Sequence, residues 1–467
     1  LTYALGDQIS FRYDEISANY TDNGVQYKIK GRGKIQFTQD DSDIAEISEG
    51  GYIRIETSNR NIEREMEVTR SADGSLERRY WYEGRSHDID RDAEAWFTEA
   101  LLVAARTVGF GAVSRAANIQ SQYGVDGVLR EIGIINSDRI KGLYFRYLIE
   151  SLDADRSEWL RIIEAVGSEI RSDGQKSHVL TSLPATDMDM TDADIQLALF
   201  EAYKTINSDG HKSNILETFI LSRDFDATLL LRGVQDINSD GHQAYVLENI
   251  LRTNDLSDPD MQSLFFNTFR SIQSDGHKAN ILGIVWDQPG IDKTMLLRSV
   301  QEINSDGHKA TLLVRMDRSF DDPALKSLML ATYRGINSDG HKAQILETIW
   351  QPGFGEAMLL DMVGMINSDG HKANVLMQSI GDLGSPDLQS QFVEILEMIN
   401  SDGHKSQIIG ALWDQKKYDR AMLVEATEQI RSDGHKSSLL MRMADECLSD
   451  EQLRPIFIRV VRTIHSD

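Results

Sequence analysis

Eight histidines in this sequence share one setting. His211, His242, His277, His308, His341, His371, His404 and His435 each follow Ser-Asp-Gly, and all but His242 precede a lysine. The repeated chemical set is Asp209, His211 and Lys212; Asp240 and His242; Asp275, His277 and Lys278; Asp306, His308 and Lys309; then Asp339, His341 and Lys342; Asp369, His371 and Lys372; Asp402, His404 and Lys405; and Asp433, His435 and Lys436. Carboxylate, imidazole and ammonium at constant spacing suit cation binding, an anion or glycan groove, or a ladder that ties repeats together.

Calcium fits poorly. "DINSDG" at 236–241 resembles the start of an EF-hand loop, which needs a carboxylate at position 1 and a bidentate Glu at position 12. Position 1 is Thr205, Asp236, Ser271, Glu302, Gly335, Met365 and Met398 in successive copies, and position 12 is apolar, as at Leu216, Leu247 and Leu282. Zinc draws its ligands to about 2 Å, whereas imidazoles on neighbouring helices would lie roughly 8–10 Å apart. Stacked helix N-termini would attract an anion or an anionic glycan, but the aspartate already places a negative charge beside those amides. The ladder reading has Gly210 and its equivalents letting loops approach, with Asp of one repeat meeting His or Lys of the next. No metal and no cofactor is expected.

The elements that position this set repeat with it. The motif serine falls at Ser137, Ser172, Ser208, Ser239, Ser274, Ser305, Ser338, Ser368, Ser401, Ser432 and Ser466, a period of about 33 residues. "DLQSQFVEILEMI" before one copy has Phe392, Ile395, Leu396 and Ile399 on one helical face, and "HKANVLMQSI" after another has Ala373, Leu376 and Ile380. Each unit therefore reads as an αα-hairpin, with Ser208 and its equivalents as N-caps of the trailing helix. Pro259, Pro323 and Pro386 each lie 15 residues before a motif serine, where the first position of the leading helix belongs.

A longer period runs through the shorter one. From Ser208 the gaps alternate as 31, 35, 31, 33, 30, 33, 31 and 34, and Trp286, Trp350 and Trp413 follow only every second motif serine by 12 residues. The composite unit is about 64 residues. The tryptophans read as core plugs, with exposed docking aromatics as the lesser reading.

Upstream, "QISFRY", "VQYKIKG", "KIQFT", "YIRIET", "REMEVTR" and "LERRYWYEG" read as strands of an antiparallel meander. "DIDRDAEAWFTEALLVAARTVG" then reads as a helix ending at Gly109, with Ala95, Phe97, Leu101, Leu102 and Ala105 on one face. The expected organisation is α+β: a β-rich segment 1–89, a capping or linker helix 90–109, and a HEAT-like α-solenoid of about eleven αα-hairpin repeats over 110–467. "GFGAVS" at 109–114 reads as a helix break, His87 as structural, and His178 as a residue inside a helix.

Composition removes several functions. A net charge of −25 repels nucleic acid and anionic membranes. Cys447 is the single cysteine, so one chain cannot build a disulfide framework or thiolate metal cage. The best apolar run, "ALLVAA" at 100–105, falls far short of the roughly 20 residues of a membrane helix. No His-Glu-x-x-His, G-x-S-x-G, P-loop or dinucleotide fingerprint is present. The start at Leu1 fits removal of a secretion signal and a periplasmic, cell-surface or secreted location.

The repeats resemble HEAT-like α-solenoids. The head, with "GKIQFTQDDSDIAEISEGGYIRIE", "DGSLERRYWYEG" and "AEAWFTEALLVAARTVGFGA", resembles the extracytoplasmic region of bacterial proteins linked to BlaR-type membrane metallopeptidase sensors. There a similar β segment runs into helical repeats carrying an I-x-S-D-x-x-K joint. The peptidase signature and membrane helices of that family are missing, and the Gly-His pair departs from its variable residues. The resemblance implies architecture and location, not proteolysis.

The functional expectation is a non-enzymatic scaffold of the bacterial envelope or surface that works by protein–protein contact. The chain stops at "TIHSD", the start of a motif: either the sequence ends early, or the last helix is itself the cap, or the open end docks on something, and the last alternative carries the expectation of a homo-oligomer or filament. The rival is a ligand-binding module using the Asp-Gly-His-Lys row for an anionic glycan or metal.

Overall fold

Alternating apolar and polar residues build the N-terminal sheet. The computed structural model describes residues 8–12, 15–22, 24–59, 62–151, 153–315, 322–350, 355–380 and 386–465. Asn23 and the last motif serine, Ser466, lie outside them. The strands are β1 (Gln8–Arg12), β2 (Glu15–Asp22), β3 (Val25–Arg32), β4 (Ile35–Phe37), β5 (Ile44–Ile47), β6 (Tyr52–Asn59), β7 (Ile62–Arg70), β8 (Leu76–Tyr82) and β9 (Arg85–His87). Seven form an antiparallel sheet in the order β1-β2-β3-β6-β7-β8-β9, and β4 and β5 form a separate hairpin. The register Ile29↔Ile55↔Met66↔Tyr80 lines up one buried face.

The helix Arg91–Val108 packs into the same core as that face. Asp90 caps it by accepting from Ala93 N at 2.8 Å. Its buried side is Ala93, Phe97, Ala100, Leu101, Ala104, Ala105 and Val108. Ala95 is exposed and Leu102 half-buried, so the face lies further round the helix than the sequence pattern placed it. At 100° per residue, Ala95 falls on the opposite side from Phe97. "GFGAVS" is indeed a break: Gly109 and Gly111 have φ of 88° and 62°. A Cβ on Gly111 would lie 2.4 Å from the Phe37 ring, so only glycine lets the chain turn against the β4–β5 hairpin.

The chain forms two compact units, Leu1–Thr253 and Asn254–Asp467; their boundary falls within the helical array. In the first, the leading helices are Ala112–Ile134, Arg156–Glu169, Ala193–Lys204 and Ala227–Gln235, and the trailing helices Asp138–Ser151, Asp173–Ser182, Asp209–Ser222 and Asp240–Thr253. In the second, the leading helices are Pro259–Ser271, Lys293–Gln301, Pro323–Arg334, Glu356–Gly364, Pro386–Glu397, Arg420–Thr427 and Leu453–Val461. Its trailing helices are Asp275–Val285, Asp306–Leu313, Asp339–Ile349, Asp369–Ser379, Asp402–Asp414 and Asp433–Ser449. Every trailing helix starts at the motif aspartate, and Pro259, Pro323 and Pro386 each open a leading helix. Within each unit leading helices pack on leading helices and trailing on trailing, a solenoid-like stacking of αα-hairpins. The class is α+β.

Candidate functional site

The joint before each trailing helix is anchored by a residue outside the polar motif. The isoleucine two positions before the serine is buried in every described copy from Ile135 and Ile170 to Ile430. With this side chain in the core, Asn and Ser span the turn and Asp begins the helix.

Among the described residues the motif aspartate bonds main-chain amides of the next repeat, where a pairing with its His or Lys was expected; Asp138 and Asp339 act on Lys176 and Lys372 of the next repeat only through their charge. The motif carboxylate accepts two backbone amides there. Asp209 takes Asn238 N at 3.1 Å and Ser239 N at 2.9 Å; Asp306 takes Asn337 N at 3.0 Å and Ser338 N at 2.9 Å. Asp138, Asp173, Asp275, Asp339, Asp369 and Asp402 do the same. Asp433 accepts from His465 N at 3.2 Å. The ladder exists, but it runs from side chain to main chain. These are charge-assisted bonds to amides that precede a helix and have no helical acceptor.

The lysines are buried rather than displayed: Lys212, Lys278, Lys309, Lys342, Lys372, Lys405 and Lys436 all lie within the array. Lys212 Nζ donates to Asp236 O at 2.6 Å, and Lys342 Nζ to Met365 O at 3.1 Å. Each acceptor caps the C-terminus of the next leading helix, where a cation suits the helix dipole. Lys436 reaches Thr463 Oγ1 at 3.0 Å. Burial lowers the pKa of Lys176 and Lys372, opposed by nearby aspartates. Gln243, which replaces the lysine after His242, is also buried and donates to Ile237 O at 2.6 Å. The ammonium groups of Lys212, Lys342 and Lys436 are thus engaged within the array, and the other motif lysines are buried beside them.

Serine is the N-cap in these joints. Ser305, Ser338, Ser401 and Ser432 accept from the amide three residues on at 3.4 Å, while Ser208 and Ser368 occupy the position without that bond. The glycine has a different reason from the one expected. None of the motif glycines has positive φ, and a Cβ on Gly210 would sit 3.7 Å from His242 Nε2, an ordinary contact. The next repeat's imidazole therefore lies over the glycine, at 3.4 Å from such a Cβ in Gly307–His341 and 3.6 Å in Gly403–His435. His308, His341 and His404, packed in this way, are half-buried, as is His277, and His242, His371 and His435 are exposed.

The composite period appears in three ways. Where motif serines are 30 or 31 residues apart, as after Asp209, Asp275, Asp339 and Asp402, the two amides go to different carboxylate oxygens. Where they are 33 to 36 apart, as after Asp138, Asp173, Asp306 and Asp369, one oxygen takes both. The other oxygen of Asp306 and of Asp369 is buried and takes no bond from the described residues. Gln196, Gln262 and Gln389 add a second tie, each accepting the amide of the next leading helix's cap, Asp226, Asp292 and Asp419. Trp286 and Trp413 are buried core plugs under Lys293 and Arg420, the latter 4.0 Å over its ring, and Trp350 is half-buried.

The densest buried charge lies elsewhere, in residues outside the repeated motif. Arg115 donates to Asp41 at 2.8 Å, Glu131 at 2.5 Å and Tyr144 at 2.9 Å, and Arg106 grips Glu131 with two bonds at 2.7 and 3.0 Å. This cluster joins the β4–β5 loop to three helices. Burial would raise the Glu131 carboxyl, but its bonds to Arg106 and Arg115 outweigh that and hold it low; at Asp41 burial prevails over Arg115 and raises it. His87, on β9, packs its ring edge-on to Tyr82. His178, exposed on its helix, lines a groove of about 690 Å³ with Arg146, Glu150, Ser182, Thr186 and Asp187.

Among the described residues no three His, Cys, Asp or Glu side chains are grouped closely enough to hold a metal ion. No single described helix is long and apolar enough to cross a membrane. Compared with protein-family models and with curated proteins, the chain matches none of either.

Proposed function

We propose that this chain is a non-enzymatic scaffold that works through protein–protein contacts along its helical array. The observation that carries this is the use of the motif itself: its carboxylates hold amides of the next repeat, and its ammonium groups are buried at helix ends. Stacked repeats of this kind expose long continuous faces, and bare apolar side chains stand on them: Leu221 is 73% exposed in the first unit and Met441 71% in the second. The resemblance of the head to extracytoplasmic bacterial segments supports an envelope or surface location.

End-to-end self-association is part of this proposal, and it would have to use the head, because the β4–β5 hairpin already covers the first leading helix. There Asn118 donates to Thr38 O at 3.2 Å and Gln122 to Gln39 O at 2.6 Å. The test is light scattering over a wide concentration range, together with cross-linking of the purified chain in an envelope fraction. Concentration-dependent assembly or a discrete protein complex, weakened by Leu221→Glu or Met441→Glu without a change in melting, is the expected result. A strict monomer with no cross-linked partner, or turnover on a substrate panel, would overturn it.

A further inference from the structure

We propose that the exposed edge of the trailing helices in the unit Asn254–Asp467 binds a neutral, β-linked polysaccharide lying across the repeats. The inference is independent of the scaffold reading and uses a different surface.

Three rows run along that edge. The first is the motif histidines from His277 to His435, in which each imidazole from His308 onward packs on the preceding repeat's glycine. The second is the residue three positions further on: Asn280, Thr311, Gln344, Asn374, Gln407 and Ser438, all exposed. The third is the residue before the serine, with exposed Asn304, Asn337, Asn367 and Asn400. In a chain that is 26% charged, Arg431 is the one permanently charged side chain among these positions. The motif's own charges point elsewhere, because the aspartates face the next joint and the lysines are buried.

That chemistry selects the ligand. Polyanions need rows of cations, and the burial of the lysines removes them, so the structure disfavours the anionic ligand that the sequence motif suggested. Protein partners need apolar or aromatic anchors, and the exposed large hydrophobics of this unit, such as Met398 and Met441, occupy none of the three rows. Amide, hydroxyl and imidazole groups both donate and accept, which matches sugar hydroxyls. His341 Nδ1 already lies 3.4 Å from Gln344 Oε1, so adjacent rows can share one hydroxyl. Neighbouring helices pack roughly 8–10 Å apart, close to the length of two rings in an extended β-linked chain. Each repeat offers a weak contact, and a polymer gathers them by avidity.

The experiment is calorimetric titration of the full chain with cello- and chito-oligosaccharides of increasing length, with heparin as the polyanion control. Affinity should climb steadily from disaccharide to hexasaccharide. The quadruple variant Asn280→Asp, Gln344→Glu, Asn374→Asp, Gln407→Glu should bind the hexasaccharides about tenfold or more weakly while melting like the parent. If that variant misfolds, the pair Gln344→Glu and Asn374→Asp should show a smaller loss in the same direction. Absence of binding to both hexasaccharides, affinity independent of length, unaltered binding by folded variants, or preference for heparin would each overturn the proposal.

Discussion

Asp306 and Asp339 grip equivalent amides in different ways. Asp306 takes Asn337 N and Ser338 N on one oxygen, at 3.0 and 2.9 Å, and its other oxygen is buried and unpaired among the described residues. Asp339 gives Asn367 N one oxygen at 3.1 Å and Ser368 N the other at 2.8 Å. Motif serines are 33 residues apart at the first joint and 30 at the second, so the long and short connections present the same two amides at different angles.

An isosteric change should read out this difference. In Asp306→Asn the amide oxygen can still accept both N–H groups, so the loss is mainly charge assistance, about 1 kcal/mol. In Asp339→Asn an NH₂ must face one of the N–H donors. A bond is lost and a donor opposes a donor, so about 2–3 kcal/mol is expected. Asp287→Ala, which breaks an exposed pair with Arg315, should cost under about 0.5 kcal/mol. Urea denaturation of the three variants checks the order; equal losses at residues 306 and 339 would refute the split geometry.

Much of this architecture is legible in the sequence because it rests on spacing. The helical register, the leading-helix prolines and the composite period all follow from distances between Ser, Pro and Trp. The ladder's true partner was hidden because it is main chain, and an amide carries no residue label. Lysine burial was hidden because Lys is usually exposed, its stem alone covering apolar surface; nothing local marks Lys342 as reaching Met365 O. The cluster of Asp41, Arg106, Arg115, Glu131 and Tyr144 was hidden because its members are spread over about a hundred residues and share no motif.

Glycine supplies a second pair of opposites. Gly307 is in the first turn of its helix, without positive φ, and a methyl there would make an ordinary 3.4 Å contact with His341. Gly307→Ala should be neutral or stabilising by about 0.5 kcal/mol. Gly111→Ala meets both a φ of 62° and a ring 2.4 Å away and should cost about 2–4 kcal/mol. Thermal melts separate them; a destabilised Gly307→Ala would restore the close-approach reading of the motif.

Because the imidazoles contribute packing while the carboxylates hold the amides, replacing His277, His308 and His341 together by Gln should lower the melting temperature less than Asp339→Asn alone. A larger drop in the triple variant would show that histidine, not aspartate, carries the ladder.

Cys447 offers a probe of the last hairpin. Burial, aided by Glu446, pushes its thiol from 9.0 up to about 11. The folded state therefore holds the proton more tightly than the unfolded state. The stability from this group is complete below pH 9 and is lost as pH rises through about 11. At pH 8 a thiol reagent should label the chain only at the rate of local opening. Instant labelling of native protein would contradict this.

The charge cluster beneath the head should respond unequally to its two acids. Glu131 is held low by Arg106 and Arg115 against the effect of burial. Its contribution is present above pH 4.5 and is lost as pH falls below that value through its lower folded pKa. Asp41 is raised by burial, so the folded state favours its proton, and stability from this group declines as pH rises from 3.8 through its higher folded pKa. Glu131→Gln leaves Arg106 and Arg115 with one partly buried acid, Asp41, and should cost about 3–5 kcal/mol at neutral pH. Asp41→Asn keeps an acceptor for Arg115, suits the φ of 57° at that position, and removes a charge that burial penalises, so it should change stability by less than about 1 kcal/mol. Denaturant titrations at pH 7 and pH 4 measure both. Equal losses in the two variants would mean that the cluster acts as one undivided ion network rather than as a Glu131 clamp with Asp41 attached.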